Sequence, residues 1–252
     1  MPYPSDARRN SGQRDSRIWA AVALAVVLIG AIRIASTWRL FAETYDEATQ
    51  IACGVEWLSA HRYTFENQHP PLGRIAVGLV PYLDGVHYHG KPTRVEESHA
   101  IFADAPDYYR LLAEARAGNL IFYVLACLGV WLLGRECGGE AVAAMAVASF
   151  TLIPVVLGHA GMATTDFALV ACLPLAFWSW QVGLDSPDRK HAALAGAATA
   201  LAILSKFSSF GFLPAMLAAL LALRWRRKNL PTCNPQGDGA GAPVSVAGSI
   251  YR

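Results

Sequence analysis

Long apolar blocks alternate with short polar connections along most of this chain. An α-helix needs about 20 consecutive apolar residues to cross the hydrocarbon core of a bilayer, and several blocks approach that length. The shorter blocks need polar or aromatic flanks to complete a span. The pattern therefore predicts an all-α fold, a polytopic membrane helix bundle with about six transmembrane helices. The predicted helices lie at Ile18–Ser36, Leu120–Leu133, Ala141–Leu157, Phe167–Val182, Ala192–Leu204 and Phe210–Leu223.

The longest polar connection, residues 37–116, is predicted to form a loop that carries interfacial helices. Apolar residues recur in it at helical spacing, at Ala48, Ile51, Val55 and Leu58. This spacing favours an amphipathic helix lying in the membrane interface over a further crossing. Thr44-x-x-Glu47 matches the capping box and predicts the start of that helix. The apolar run 72–86 contains an arginine, a proline and an aspartate, so we expect it to dock on the membrane or dip into it.

Composition agrees with a membrane protein. Of the 252 residues, 54% are hydrophobic and only 16% are charged, which is too apolar for an ordinary soluble domain of this length. The formal net charge of +2 gives no sign of a nucleic-acid partner. The five cysteines form no Cys-x-x-Cys pair, which argues against a disulfide framework and a zinc site.

Basic residues predict the direction of the helices. Lys and Arg accumulate in short cytoplasmic connections, because positive residues resist translocation. If the basic segment 1–17 is cytoplasmic, each later basic connection falls on the same side of the membrane. These connections contain Arg135, then Arg189 and Lys190, then Arg224, Arg226, Arg227 and Lys228. The chain is thus divided into the cytoplasmic N-terminus 1–17, a transmembrane domain over 18–228 whose loop 37–116 is external, and a disordered tail over 229–252 that is rich in Pro, Gly, Asn and Ser.

The first apolar block could instead be a cleaved signal peptide, since four arginines precede it. The block is longer than the usual apolar region of a signal peptide, about 7–15 residues, and Arg33 interrupts its end. No clear cleavage site with small residues follows it. A retained first helix fits these features better.

The same alternation brings four charged residues from distant parts of the chain to one membrane face. They are Asp46, Glu47, Asp166 and Lys206. Three of them also have a structural interpretation. Glu47 would close the capping box, and Asp166 or the threonine before it would cap the fourth helix. Lys206 would reach the lipid headgroups. Asp46 is not needed for the cap, so its position favours a functional role.

Seven short elements occur in an order that resembles one family of membrane enzymes. They are Asp46-Glu47, Gly54-x-x-Trp57-Leu58, Tyr63, His69-Pro70-Pro71-Leu72, Arg116-x-x-Asn119-Leu120, Ala163-Thr164-Thr165-Asp166 and Leu204-Ser205-Lys206-Phe207. Residues 18–223 resemble the N-terminal half of a GT-C glycosyltransferase of the protein-mannosyltransferase and aminoarabinose-transferase type. The resemblance implies transfer of a sugar from a polyprenyl-phosphate carrier to a protein, lipid or glycan acceptor on the non-cytoplasmic face. We expect the chain in the plasma (inner) membrane, as a multi-pass protein in contact with the lipid bilayer.

The resemblance also implies a set of site residues. The expected catalytic residues are Asp46, Glu47 and Asp166. The expected substrate-binding residues are Lys206, His69, Arg62, Arg74 and Tyr63. A lipid phosphate is already a competent leaving group, so the reaction needs a base for the attacking hydroxyl and positive charge near the phosphate.

Roles follow from this chemistry. Asp46 suits the base, and Lys206, with Arg62 or Arg74, suits the phosphate. Asp166 would orient a substrate or hold a divalent cation together with Asp46. Metal use varies in such enzymes, so a divalent cofactor is left open.

Two other classes of function are compatible with the sequence. Members of the family generally continue with several more membrane helices, so the chain could be a truncated, non-catalytic membrane protein that binds lipid-linked sugar or a partner. A transporter is less well supported, because paired broken helices in two repeated halves are not evident.

Overall fold

A computed structural model describes the backbone of residues 4–229 and the side chains of residues 15–229. This part of the chain folds into ten helices and contains no strand, which confirms the predicted all-α fold. The helices are α1 (Pro4–Thr37), α2 (Tyr45–Ala60), α3 (Pro71–Leu83), α4 (Arg94–Asp104), α5 (Tyr108–Gly118), α6 (Leu120–Leu152), α7 (Pro154–Ala160), α8 (Asp166–Asp185), α9 (Arg189–Ser205) and α10 (Ser209–Asn229). Except for Asn229, the predicted tail lies outside the described residues.

The helix α6 is a hairpin of two arms. Gly138 and Gly139 leave helical geometry, and Gly139 has a φ of 77°, a left-handed value that glycine adopts without strain. The chain reverses here, because a Cβ added to Gly134 would lie 2.7 Å from the Cα of Ala143. The first arm corresponds to the second predicted apolar block. The third predicted block, Ala141–Leu157, is divided between two helices, because the second arm ends at Leu152 and Pro154 begins α7.

Residues from three connections meet at one end of the bundle. The Asn119 side chain, just before α6, donates hydrogen bonds to the carbonyl oxygens of Met162 and Thr164, just before α8. Lys206, which follows α9, forms an ion pair with Asp166, the first residue of α8. We call this the Asp166 end of the bundle. The helices α8 and α9 are therefore antiparallel.

The opposite end of the bundle carries basic residues. Arg224 of α10 donates to the backbone of Gln181 and forms an ion pair with Asp185, where α8 ends. At the turn of the α6 hairpin, Arg135 lies 3.0 Å from the Glu140 carboxylate. We call this the Arg224 end. The long helices thus alternate in direction as the sequence predicts.

Three stretches of the described chain are long and apolar enough to cross a membrane by length and composition. They are Asp15–Thr37, Tyr108–Leu152 and Asp166–Asp185. The second has 45 residues and contains both arms of α6. Large apolar side chains of α1 are exposed, as in a helix that faces lipid, at Leu24, Leu28, Ile29 and Ile32. The helices α9 and α10 do not meet the same requirement, so the number of six crossings stays a prediction.

The helices α2 to α5 pack together at the Asp166 end. An amphipathic helix is present where the sequence predicts one, but residues 49–56 are all buried, so protein surrounds it where an interfacial helix would meet lipid. Its contact with α3 depends on two glycines: a Cβ on Gly54 would lie 2.2 Å from the Arg74 carbonyl oxygen, and one on Gly78 would lie 2.7 Å from the Gly54 carbonyl carbon. Only residues without a Cβ allow the two backbones to approach this closely.

Two buried glutamates order the connections between these helices. Glu56 accepts hydrogen bonds from the backbone N–H and the hydroxyl of Thr64. Glu97 accepts from the backbone N–H groups of His89, at 2.6 Å, and Lys91, at 2.9 Å. In each case, hydrogen-bond donors of the protein replace the water that the carboxylate loses on burial, as a buried charged group requires. The connections around the candidate site are therefore held by specific hydrogen bonds.

Candidate active site

An acid and a cation from distant helices form an ion pair at the Asp166 end. Asp166 lies in the first turn of α8, where the helix dipole favours an ionised carboxylate. Lys206 follows the last residue of α9, and its ammonium group contacts the Asp166 Oδ1 atom. The side chains are 46% and 29% exposed, respectively, so both remain open to an incoming ligand.

The connection before Asp166 is fixed by a buried amide. Asn119 is fully buried and donates to the carbonyl oxygens of Met162, at 2.5 Å, and Thr164, at 3.2 Å. These bonds join the start of α6 to the start of α8. They set the position from which the Asp166 side chain extends.

Glu47 lies at the centre of a buried polar network. Its two carboxylate oxygens accept from Arg116 Nε, at 2.8 Å, and Arg116 Nη2, at 2.9 Å. They also accept from the backbone N–H groups of Thr44 and Ala163, each at 2.8 Å. The Thr44 bond is the Glu47 half of the predicted capping box. Burial alone would raise the pKa of Glu47, but these donors hold that pKa below its ordinary value of 4.5.

The partner Arg116 connects this network to the end of α1. Its guanidinium donates to the carbonyl oxygens of Trp38, Phe41 and Ala42 as well as to Glu47. Arg116 is 3% exposed, and the Glu47 side chain is fully buried. The pair therefore holds the α1–α2 connection, α5 and the segment before α8 in one arrangement.

Asp46 has the opposite environment to its neighbour. Its side chain is exposed, and no hydrogen bond or ion pair joins its carboxylate to another described residue. Because Glu47 binds the backbone of Ala163, Asp46 lies at the same end of the bundle as Asp166. A free, solvated carboxylate next to a rigid anchor is able to accept a proton from a ligand.

The His69-Pro70-Pro71-Leu72 element forms the start of α3 beside α8. Pro70 is the N-cap and Pro71 the first helical residue, the position where proline fits best. A Cβ on Gly73 would lie 3.0 Å from the Thr165 Cα, so this start packs directly on the residue before Asp166. His69 Nδ1 lies 2.6 Å from the Glu66 carboxylate.

Arg74 differs from the sequence-based expectation of a phosphate ligand. It is 1% exposed, and it donates to the Gln50 side chain at 2.9 Å and to the Glu66 carbonyl oxygen at 2.7 Å. Its guanidinium also lies over the Tyr63 ring, 5.3 Å from the centroid. These contacts occupy Arg74 within the protein, so it supports the loop that carries Tyr63 and His69. Arg62, in contrast, is exposed.

Glu66 is a site residue that the sequence reasoning missed. Its carboxylate is surrounded by His69, Arg74 and Arg94. Burial would raise the pKa of Glu66, but the hydrogen bond from His69 and the charges of the two arginines hold it below the ordinary value. The available signal was a glutamate three residues before a histidine that is itself followed by two prolines, since a proline restricts the conformation of the residue before it.

Two clefts open among the helices α2 to α5 and the connections between them. One, of about 450 Å³, includes Asp84, Asp104 and Arg110 in its lining. The other, of about 470 Å³, lies between residues 64–68 and 92–95. None of the predicted site residues lines either cleft, but the second ends at the residue before His69.

A metal site is not evident in the described part of the chain. No group of three or more His, Cys, Asp or Glu side chains there is arranged to hold a metal ion. A cation held by Asp46 and Asp166 would have two carboxylates at most and would compete with Lys206 for Asp166. The donor set therefore fits a divalent cation poorly without further ligands from a substrate.

The fold and this cluster define an all-α integral membrane protein whose reactive polar groups meet at one end of the helix bundle. The family model for dolichyl-phosphate-mannose-protein mannosyltransferases matches residues 111–239, just over half of the chain, and the chain belongs to this family. The predicted resemblance to GT-C membrane glycosyltransferases is thereby confirmed. No curated protein and no solved structure matches the chain.

The family match covers only part of the cluster. It includes Asp166 and Lys206, and it starts after Asp46, Glu47 and His69. Membership supports a mannosyltransferase-type glycosyltransferase that uses lipid-linked sugar donors. The roles of individual residues remain predictions.

Proposed function

We propose that this protein transfers a sugar from a polyprenyl-phosphate carrier to a hydroxyl group of a protein, lipid or glycan. The observation that carries the proposal is the location of the exposed Asp46 carboxylate and the Asp166–Lys206 ion pair at the same end of the bundle. Family membership supports a lipid-linked donor. The reaction would take place where the carrier phosphate reaches the membrane surface.

In the proposed reaction, Asp46 acts as the general base. Its carboxylate accepts the proton of the acceptor hydroxyl, and the acceptor oxygen attacks the anomeric carbon of the sugar. A new bond forms between that carbon and the acceptor oxygen as the bond to the phosphate oxygen breaks. The electron pair leaves with the carrier phosphate. General base catalysis of this kind contributes about 10²–10⁴-fold to a rate.

Lys206 would stabilise the charge of the departing phosphate. Its ammonium group is partly exposed and already paired with one carboxylate, so an incoming phosphate would share it with Asp166. Positive charge placed where negative charge develops lowers the barrier. Arg62 is exposed, so we assign it to the same phosphate. His69 comes just before the start of α3, where Gly73 packs against Thr165, and we assign it to the same substrate.

The remaining predicted residues are assigned to positioning. Glu47 has all its strong acceptor positions filled, so we assign it to holding Asp46 in place. Arg74 holds Tyr63 and Glu66. Asp166 fixes the Lys206 ammonium and could contact a substrate hydroxyl. A divalent cation would enter the reaction only with further ligands from the substrate.

We propose that the Asp166 end faces the non-cytoplasmic side of the plasma (inner) membrane, with the N-terminus in the cytoplasm. The support is the location of basic residues. Arg135, Arg189, Lys190 and Arg224 all lie at the Arg224 end. Such clustering is typical of cytoplasmic connections.

The competing function is that of a non-catalytic membrane protein that binds lipid-linked sugar. A transfer assay distinguishes the two functions. The purified chain is given polyprenyl-phosphate mannose whose sugar is radiolabelled, together with extracted membranes as a source of acceptors. The proposal expects label in an acceptor and release of polyprenyl phosphate. Tight binding of the donor with no release would favour the non-catalytic function.

A further inference from the structure

Two cations at the end of α10 have no partner within the described chain. Arg226 and Lys228 lie in the last turn of the helix, and both are exposed. No hydrogen bond or ion pair joins either side chain to another described residue. Arg189 and Lys190, where α9 begins at the same end of the bundle, are exposed and lack such a partner as well. Positive charge at the Arg224 end is therefore available to an external group.

The acids nearby do not compensate these cations. The Asp185 carboxylate forms an ion pair with Arg224. The Asp188 carboxylate accepts a hydrogen bond from the backbone N–H of His191, at 2.8 Å, and lies 3.0 Å from the ring Nδ1 of the same residue. Glu136, at the turn of the α6 hairpin, is exposed and leaves one negative charge at this end. Positive charge therefore remains in excess, and the partner that fits it is an anion.

Apolar side chains on α10 restrict the kind of anion. Residues three or four apart lie on one face of a helix, so Leu221, Trp225 and Lys228 share a face, and Leu223 is paired with Arg226 in the same way. Leu221 and Leu223 are exposed, and Trp225 is 70% exposed. Each cation thus lies one turn beyond an exposed apolar side chain, as in a helix that passes from hydrocarbon to headgroups, where tryptophan is enriched. A soluble polyanion would contact the charges alone, whereas a phospholipid contacts both kinds of side chain.

We propose that this end of α10 binds the headgroup of an anionic phospholipid, with Arg226 and Lys228 as the contacting cations and Trp225 beside the acyl chain. Clusters of Lys and Arg next to the end of a membrane helix attract anionic lipids electrostatically. Arg189 and Lys190 add to the positive potential at the same end. Lipid binding here needs neither sugar transfer nor any residue of the candidate active site, so it is independent of the proposed function.

The test measures quenching of Trp225 fluorescence by brominated lipids in the full chain reconstituted into vesicles. The vesicles contain phosphatidylcholine mixed with an equal fraction of either brominated phosphatidylglycerol or brominated phosphatidylcholine. The Trp225 signal is the part of the fluorescence that Trp225→Phe removes, and it is determined separately for each protein. The variant is Arg226→Gln combined with Lys228→Gln. The control, Arg39→Gln combined with Lys91→Gln, removes two exposed cations at the Asp166 end.

Wild type should bind the anionic lipid beside Trp225 about fivefold more tightly than phosphatidylcholine, since one basic residue near an anionic headgroup contributes about that factor. The double variant should lose most of this preference, and so should wild type at high salt, which screens exposed charges. The control should keep the wild-type preference, and circular dichroism melting verifies that each variant is folded. Equal quenching of wild type by the two brominated lipids, or a preference that the double variant retains, overturns the assignment. An equal loss of preference in the control overturns it too, because the effect would then follow net charge and not this surface.

Discussion

The adjacent carboxylates of Asp46 and Glu47 occupy opposite environments, and this difference divides their roles. Glu47 is fully buried and accepts four hydrogen bonds, two of them from Arg116. Asp46 is exposed and has no partner in the described chain. The buried acid fixes the backbone, and the exposed acid is left free for chemistry.

Replacing Glu47 should destabilise the protein strongly. Glu47→Gln leaves the buried Arg116 guanidinium without its counter-charge, and removing one partner of a buried pair costs about 3–5 kcal/mol. Thermal melting in detergent at neutral pH measures the loss. Asp46→Asn removes an exposed carboxylate and should melt close to wild type. Equal melting of Glu47→Gln and wild type would contradict the structural role.

The stability that Glu47 provides should also depend on pH. The pKa of Glu47 in the folded protein is below its ordinary value of 4.5, so its contribution is present above about pH 4.5 and is lost as the pH falls through the folded pKa. The difference in melting temperature between wild type and Glu47→Gln should therefore shrink on acidification below pH 4.5. A difference that stays constant with pH would show that Glu47 acts by packing alone.

Removing the Lys206 charge should weaken binding of the carrier phosphate. Charge-assisted contacts contribute about 1.5–3 kcal/mol, so Lys206→Met should reduce the affinity for polyprenyl phosphate by about 10- to 100-fold. Lys190→Met removes a lysine charge at the Arg224 end and serves as the control. If the two variants bind the carrier equally well, Lys206 does not contact the phosphate.

Close contacts between helices determine how the site is assembled. The α6 hairpin turns at Gly138 and Gly139, and α2 meets α3 at Gly54 and Gly78. The second contact places Arg74 of α3 against the middle of α2, where it reaches Gln50. The site is therefore sensitive to the spacing of α2 and α3.

A single methyl group at Gly54 should disturb this spacing. Its Cβ would lie 2.2 Å from a backbone oxygen, and overpacking of this kind costs about 1–3 kcal/mol. Gly196→Ala is the matched control, because that helical glycine has no atom within 4 Å of the added Cβ. Gly196→Ala should leave the free energy of unfolding unchanged or raise it by about 0.5–1 kcal/mol. Melting temperatures of the two variants test the contact, which would be refuted if Gly54→Ala were as stable as Gly196→Ala.

The predictable elements were those with a strong local signal. The apolar blocks located α1, both arms of α6, α8, α9 and α10, and Thr44-x-x-Glu47 located the start of α2. The burial of α2 on all sides was not predictable, because two of its own buried residues, Gln50 and Glu56, look like solvated residues in the sequence. The same difficulty affected Arg74, whose burial depends on acceptors from other segments.

At the scale of the whole described bundle, the candidate site and the basic connections between the long helices lie at opposite ends. Asp46, Asp166 and Lys206 lie at the Asp166 end, and Arg135 and Arg224 lie at the Arg224 end. This convergence was predictable from the alternation of apolar blocks. The bonding that produces it, especially the Glu47–Ala163 and Asn119–Thr164 contacts, spans over 40 residues and has no local signal.

Cysteine labelling of intact cells should reveal the orientation. Cys137 is exposed at the Arg224 end, whereas Cys53, Cys127 and Cys172 are buried. In a Cys233→Ser background, a membrane-impermeant maleimide should label Cys137 only after the cells are opened. His99→Cys, on the exposed surface of α4, should be labelled in intact cells. Labelling of Cys137 in intact cells would contradict the proposed orientation and indicate the opposite one.

The most direct test of the proposed function is the rate at which Asp46→Asn transfers sugar from polyprenyl-phosphate mannose. The control is Glu43→Gln, an exposed acid three residues away. We predict that Asp46→Asn binds the donor as wild type does and transfers sugar about 10²–10⁴-fold more slowly, while Glu43→Gln stays near the wild-type rate. Transfer by Asp46→Asn at the wild-type rate would contradict the assignment of Asp46 as the base.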